Sequence, residues 1–230
     1  MREDQRQEAY RIRQQDIAPA EQMRSRPVHV IGAGGVNSHF CLQGAKLGFS
    51  LTVHDGDTVS DENVGSQLFG PAHVGRPKVE VVRELCDQLA GAEIQAVNAF
   101  VRGGEPVSGI VVEAVDTMTA REEIWTRVIL PRHEFVEALV SVRMGAESGA
   151  VVVVRPDRVV DQIFYETSAL YPDERAMPLP CTGRATSYCA TIAAALAVRA
   201  VKRLLMRQPV ERQVEFDLAG LMFVVEEEYV

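Results

Sequence analysis

The feature that most constrains this chain is the stretch from Val28 to Lys78. A short apolar run, His29-Val30-Ile31, ends in Gly32-Ala33-Gly34-Gly35. A helix-like segment, Ser38–Gly48, comes next, and a second apolar run, Leu51-Thr52-Val53, ends at Asp55. A strand, a glycine turn, a helix and a strand with an acid at its tip form a nucleotide-binding unit. The glycines let backbone approach phosphate, and the helix N-terminus offers free N–H groups and a positive dipole end. Asp55 lies 23 residues after Gly32, near the spacing of an acid that holds a ribose hydroxyl. Asn37 stands at the third glycine position, so a tight turn without a ligand is the alternative reading of the turn alone.

The segment from Asp55 to Lys78 is more specific than a plain dinucleotide site requires. Asp55-Gly56-Asp57-Thr58-Val59, then Asn63 and Gln67, then Gly75-Arg76-Pro77-Lys78 occur in that order. The set GAGGVNS, DGDTV, ENVGSQ and HVGRPK resembles the ThiF/MoeB/HesA family, relatives of the ubiquitin-activating enzymes, in a short bacterial branch. Three departures stand out. Asn37 replaces a glycine, Ser66 stands where the family's phosphate-binding arginine sits, and the four cysteines (Cys41, Cys86, Cys181, Cys189) form no C-x-x-C pair of the kind that holds zinc.

The rest of the chain reads as an α/β protein. It is a Rossmann-like, mostly parallel sheet flanked by helices and extended by antiparallel strands in the C-terminal half. The order read is βαβαβαβ, then antiparallel strands, one long helix over Ser187–Leu205 and a closing hairpin around Ala219-Gly220. Glu134–Val142 and Gly149–Arg155 read as strands, and Val159–Tyr165 as a partner of the Val151–Val154 strand. Residues 1–26 form an N-terminal helical arm, and 27–230 one adenylation-type domain. Within it, 27–145 form the nucleotide half, and 146–230 the mixed-sheet, carrier-docking half. At 230 residues and 47% hydrophobic content the chain is long enough for a sizeable core. A net charge of −8 argues against non-specific binding to nucleic acid or to anionic membranes. The start is charged and no run reaches membrane-spanning length, so a cytoplasmic protein with reduced thiols is expected.

The resemblance implies ATP-dependent adenylation of a C-terminal carboxylate, with pyrophosphate released. The partner would be a small ubiquitin-like or sulfur-carrier protein, or a peptide, ending in glycine. It also implies roles. Gly32, Gly34 and Gly35 approach phosphate, Asp55 holds ribose with Asp57 beside it, and Asn63 and Gln67 fix the α-phosphate or the attacking tail. Lys78 meets phosphate, and Asp116, completed by Arg121 as D-x-x-x-x-R, holds Mg²⁺. Arg13 reaches the neighbouring subunit's phosphates, which makes a homodimer the active unit, with the Val151–Val154 strand and the strand before it supplying its interface. Cys181, before the Ser187–Leu205 helix, is a candidate acceptor of the activated group. Each has a plainer alternative: a solvated turn for Asp57, a surface lysine for Lys78, a helix cap for Asp116, a buried thiol for Cys181. Arg143-Met144-Gly145-Ala146-Glu147 resembles shorter members of the family and lies where the substrate tail would approach, without an assigned chemistry. Two other functions compete: a nucleotide-binding pseudoenzyme that scaffolds a carrier protein, and an NAD-dependent oxidoreductase.

Overall fold

The computed structural model describes residues 9–172 and 185–229. Among them, eight strands form one sheet: β1 (Pro27–Ile31), β2 (Ser50–His54), β3 (Gln95–Val97), β4 (Gly109–Glu113), β5 (Val136–Gly145), β6 (Ser148–Val154), β7 (Val210–Asp217) and β8 (Met222–Tyr229). Their order is β3-β2-β1-β4-β5-β6-β7-β8. The first five pair in parallel, and β5 to β8 pair antiparallel. This is the Rossmann-like sheet with an antiparallel extension that the sequence led us to expect. The chain crosses from the β3 edge back to β4, so the topological switch lies between β1 and β4. Ligands of open α/β sheets bind there, outside the carboxyl ends of the strands.

Helices cover both faces. The described chain begins in a helical turn, α1 (residues 9–11), and a short α2 (Ala20–Met23) comes after it. Between the strands lie α3 (Gly35–Leu47), α4 (Lys78–Ala90), α5 (Met118–Ile124), α6 (Val159–Phe164) and α7 (Ser187–Leu205). α5 and α6 each continue into a π-helical turn, Trp125–Ile129 and Tyr165–Ala169. One core lies between the sheet and α3, α4 and α7, built from Phe40, Val53, Val82, Val140 and the alanine face of α7. The other lies under α5 and α6, around Ile129, Leu139, Trp125 and Tyr165. Gly48 ends α3 in the left-handed region at φ 95°, where glycine carries no Cβ penalty. No helix among the described residues is long and apolar enough to cross a membrane.

Four readings change. Val159–Tyr165 is helical rather than a strand, because Pro156 and Asp157 end the run of β6 and start a turn. The link from β3 to β4 is irregular rather than helical. β3 is only three residues long, shorter than the apolar pattern from Glu93 to Phe100 suggested. The apolar residues of β5 and β6 are spent inside this chain's own core: Val140, Val142, Val151 and Val153 are all buried. They cannot also cover a partner. Exposed apolar residues cluster instead on β8 and its turn (Leu221, Phe223, Val224) and on α6 (Val159, Val160, Ile163).

The N-terminal arm docks on the far end of α3. Arg11 is buried and donates to the carbonyls of Ala45 at 3.2 Å and Lys46 at 3.3 Å, and Gln14 also donates to Lys46. A cation on the last carbonyls of a helix meets the negative end of its dipole.

Beneath the sheet, β1 and β2 place His29 Nδ1 3.3 Å from His54 Nε2, with the rings stacked. Burial first, then the His54 and Arg132 charges, pull His29 down to about 4. Burial also lowers His54, against the pull of Glu105. A base whose folded pKa is depressed binds fewer protons folded than unfolded, so its stabilisation is full above pH ~6.5 and is lost as pH falls toward the folded value. Urea unfolding of the wild type should therefore weaken between about pH 6.5 and 4, by up to about 3 kcal/mol. His29→Gln should flatten that slope while leaving the carboxylate-driven loss below about pH 4.5 in place.

Candidate nucleotide site

The four motifs converge at the switch point. Gly32 takes φ +86°, and a Cβ there would stand 3.3 Å from the Ala114 carbonyl, so β1 must leave the sheet through a glycine. Gly34 differs. It is the N-cap of α3 in an ordinary extended conformation, it has no side chain to cap the helix, and a Cβ there would meet nothing within 4 Å. Its missing side chain leaves open space beside the first amides of α3, the geometry of an anion cradle. Gly35 packs at ordinary distance from Ala190, Met144 and the Ser66 carbonyl.

Asp55 is buried at the tip of β2. Its carboxylate accepts from the Ala33 N–H at 2.6 Å and the Asp57 N–H at 2.7 Å, which ties the glycine turn to the second motif. Lone pairs remain on both oxygens for a further donor. The 57–59 and 75–78 segments bridge each other: Lys78 N–H donates to the Asp57 carbonyl at 3.0 Å, and Val59 N–H to that of Arg76 at 2.9 Å. Lys78 opens α4, as read from the sequence, with its ammonium 3.1 Å from Asp57 Oδ2. The side chain is 11% exposed, against 53% for Asp57. A cation in the first turn opposes the helix dipole, so Asp57 compensates it in this structure.

Asn63 caps its own loop: its Oδ1 accepts from Ser60 N–H at 3.0 Å. The loop beyond is pinned to α3 by Leu68 N–H, which donates to Ser38 Oγ at 3.2 Å. Gln67 brings a buried Oε1 with no partner. Asn37, the departure from the family's glycine, is buried and donates to the carbonyls of Ile31 at 2.9 Å and Gly32 at 3.0 Å, leaving its own Oδ1 without a donor. Two orphaned acceptors beside an uncapped helix end suit a ligand that offers hydroxyl or amino donors as well as phosphate.

Across the switch, Asp116 lies just beyond β4 and is exposed. It does not cap α5; Thr117 does, its Oγ1 accepting from Ala120 N–H at 3.1 Å. Among the described residues no cluster of three or more His, Cys, Asp or Glu could hold a metal. A Mg²⁺ ion at Asp116 would take its remaining ligands from phosphate oxygens and water, as this ion commonly does. Arg121 is elsewhere engaged. Its Nη1 reaches both oxygens of Glu113 at 2.8 and 2.7 Å, and its Nη2 donates to the carbonyls of Val115 at 2.7 Å and Val142 at 2.8 Å. Ser141 and Tyr165 hydroxyls also donate to Glu113. The costly buried acid of β4 is thus Glu113, fully buried, rather than Asp116. The run G-I-V-V-E carried the signal: an acid that ends a continuous apolar strand, with an arginine eight residues on.

Arg13 is exposed on the turn that docks at the C-terminal end of α3. The helix has 13 residues, or about 20 Å. Arg13 therefore stands a full helix length from the glycine turn of its own chain. Cys181 lies outside the described residues. Cys86 and Cys189 are core thiols, pushed by burial up to about 12 and about 11.

Two substitutions separate the architecture from the candidate ligand. Arg121→Met should cost about 3–5 kcal/mol in denaturant unfolding, because it strands a buried carboxylate. Asp116→Ala, at an exposed position, should stay within about 0.5 kcal/mol of wild type.

Comparison with known proteins places this geometry. The fold matches the crystal structure of PaaA with a TM-score of 0.71 at 15% identity, covering 99% of this chain and 73% of that one. It matches Escherichia coli MccB solved with ATP with a TM-score of 0.72 at 14% identity, covering 92% and 66%. The same enzyme solved with MccA matches with a TM-score of 0.71 at 13% identity, covering 93% and 68%. This chain thus spans about two thirds of MccB, and the likeness at these identities is one of fold. No curated protein matches the sequence at a significant level. The family model for ThiF matches residues 6–226, nearly the whole chain, and the protein belongs to the ThiF family.

Proposed function

We propose that the chain binds Mg·ATP at the β1–β4 switch point and adenylates a C-terminal carboxylate of a peptide or small carrier protein. The observation that carries this reading is the open, uncapped N-terminus of α3 at Gly34, flanked by the orphaned Asn37 Oδ1 and Gln67 Oε1. A nucleotide supplies both anion and donors to that place. Family membership supports it, as do the MccB structures solved with ATP and with MccA.

In the proposed step a carboxylate oxygen attacks the α-phosphorus. A new O–P bond forms, the bond to the bridging oxygen breaks, and pyrophosphate leaves with the electron pair. A carboxylate is already ionised near neutral pH, so no general base is required. The residues act by position and charge. The first amides of α3 bind phosphate, and Asp55 accepts from ribose with its remaining lone pairs. Lys78 exchanges Asp57 for phosphate, and Asp116 would hold Mg²⁺, which neutralises charge on the phosphates. Asn63 shapes the loop that presents Gln67. Arg13 serves the site of a second copy, since α3 separates it from its own, and the active unit is then a homodimer. Cys181 remains the candidate acceptor of the acyl group.

One observation favours a second reading, a nucleotide-binding scaffold without turnover. Ser66 replaces the family's arginine, and the Lys78 charge is already compensated by Asp57. Pyrophosphate release with a peptide ending in Gly-Gly separates the two.

The first test is calorimetry with Mg·ATP and with NAD⁺. Wild type should bind Mg·ATP and not NAD⁺. Gly34→Val should lower that affinity at least about tenfold by filling the cradle, with thermal stability reduced only as far as a poorer N-cap requires, since the added Cβ meets open space. Asp116→Ala should weaken Mg·ATP binding and spare ATP in the presence of a chelator. NAD⁺ binding without ATP binding would return the glycine turn to an oxidoreductase. ATP binding indifferent to Gly34→Val would remove the cradle from the site.

A further inference from the structure

Near the end of β5 stands Arg143, a residue for which family resemblance supplied no role. Its Nε and Nη2 are buried and have no hydrogen-bond partner. These two nitrogens lie on one edge of the guanidinium plane and carry the parallel N–H pair that grips a carboxylate side-on. Leaving both unpaired in a buried place is costly unless something else fills the fork. The guanidinium sits 5.7 Å from the Tyr171 ring centroid, which shields one face and leaves the in-plane edge for an anion.

The neighbourhood leaves a positive charge over. Arg121 is matched by Glu113, and Ser141 and Tyr165 complete that network, so none of it is available to Arg143. The position is also tied to the candidate nucleotide site. One nitrogen, Arg121 Nη2, binds the carbonyls of Val115 and Val142 at 2.7 and 2.8 Å. Asp116 comes directly after the first carbonyl and Arg143 after the second, so a single guanidinium holds the backbone next to both the proposed metal ligand and the empty fork. Met144, next along β5, lies 3.8 Å from where a Cβ of Gly35 would stand. A cleft of about 640 Å³ opens beside Tyr171, lined also by Trp125, Leu170, Met118 and the acids Glu122 and Glu166.

We propose that Arg143 is the receptor for the substrate's terminal carboxylate, held side-on by Nε and Nη2 next to Asp116, with the preceding residues lying in the cleft beside Tyr171. The inference rests on the adenylation reading and names its substrate end: a peptide-like acid with a free carboxylate, whose adjoining residues are uncharged or basic because Glu122 and Glu166 repel acidic ones.

The test uses the full chain with saturating Mg·ATP and two probes, N-acetyl-glycylglycine and its C-terminal amide. Binding is followed by calorimetry and by the fluorescence of Trp125, the one tryptophan of the sequence and a wall of the cleft. The acid should bind saturably and the amide at least about tenfold more weakly. Arg143→Gln should reduce affinity for the acid about 10- to 100-fold with Mg·ATP affinity unchanged, and Arg143→Lys should fall between, since an ammonium keeps the charge and loses the fork. If Arg143→Gln does not fold, the acid–amide comparison in wild type and Arg143→Lys carries the test. Equal binding of acid and amide, no binding of the acid by wild type, or wild-type affinity for the acid in Arg143→Gln would overturn the proposal. Failure of wild type to bind Mg·ATP would instead overturn the nucleotide reading, so the two failures are distinct.

Discussion

The buried pair of Glu113 and Arg121 is the interaction on which the working end of the sheet depends. A carboxylate with no exposed surface has to be met by a charge and by hydrogen bonds, or it will not ionise there. Arg121 supplies both, and its other nitrogen closes on the backbone of two strands. Well-packed apolar residues would give comparable stability, because burying two ions costs about as much as their attraction returns. An apolar pair, however, could not hold the carbonyls of Val115 and Val142 to one point. The pair's contribution is to position: it fixes where β4 releases the chain toward Asp116 and where β5 presents Arg143.

The glycine turn shows a division of labour that a motif hides. Gly32 is required by its backbone angle and by the carbonyl of Ala114, and would be needed with no ligand at all. Gly34 is required by neither. Its φ of −78° suits other residues, and the space beside it is open. Asn37 adds a further twist. Its amide ties the end of β1 to the first turn of α3, a task the family's glycine cannot perform. The departure from the pattern therefore keeps the turn's shape by side-chain hydrogen bonds while leaving one buried oxygen unpaired.

Much of the fold was legible because it is written in local signals. The valine runs, the two left-handed glycines that end α3 and α4, and the alanine face of α7 each specify their element with little help from the rest. The failures are places where tertiary context overrides them. Val159 to Tyr165 is rich in β-branched and aromatic residues like a strand, yet Asp161 accepts from the Arg155 N–H at the start of a helix. An acid at a strand tip was read at Asp116, three residues beyond the one the core encloses, because sequence does not say where a strand's burial stops. Likewise the valines of β5 and β6 look like interface until α7 on one face and the layer of α5 and α6 on the other are seen to cover them. Arg143 was visible only as a letter in a turn. That its nitrogens are buried and unpaired is a property of three elements meeting, and no spacing encodes it.

The distribution of positive charge bears on how such a site works without an arginine at position 66. Lys78 is matched by Asp57, Arg76 by Glu84 and Arg121 by Glu113. Arg143 is matched by no described acid, and it lies near the end of β5 rather than on the loop that carries Ser66. On the proposed reading, this unmatched cation then faces the attacking carboxylate. The phosphates would be left to the α3 dipole, to Mg²⁺ and to the Arg13 of a second copy. An arginine at position 66 would stand instead on the loop whose backbone packs against Gly35, on the phosphate side of the proposed site. Loss of the family's arginine and an empty fork on β5 are, in that light, two sides of one arrangement: charge moved from leaving group to nucleophile, so that binding of the correct carboxylate completes the electrostatics of the site.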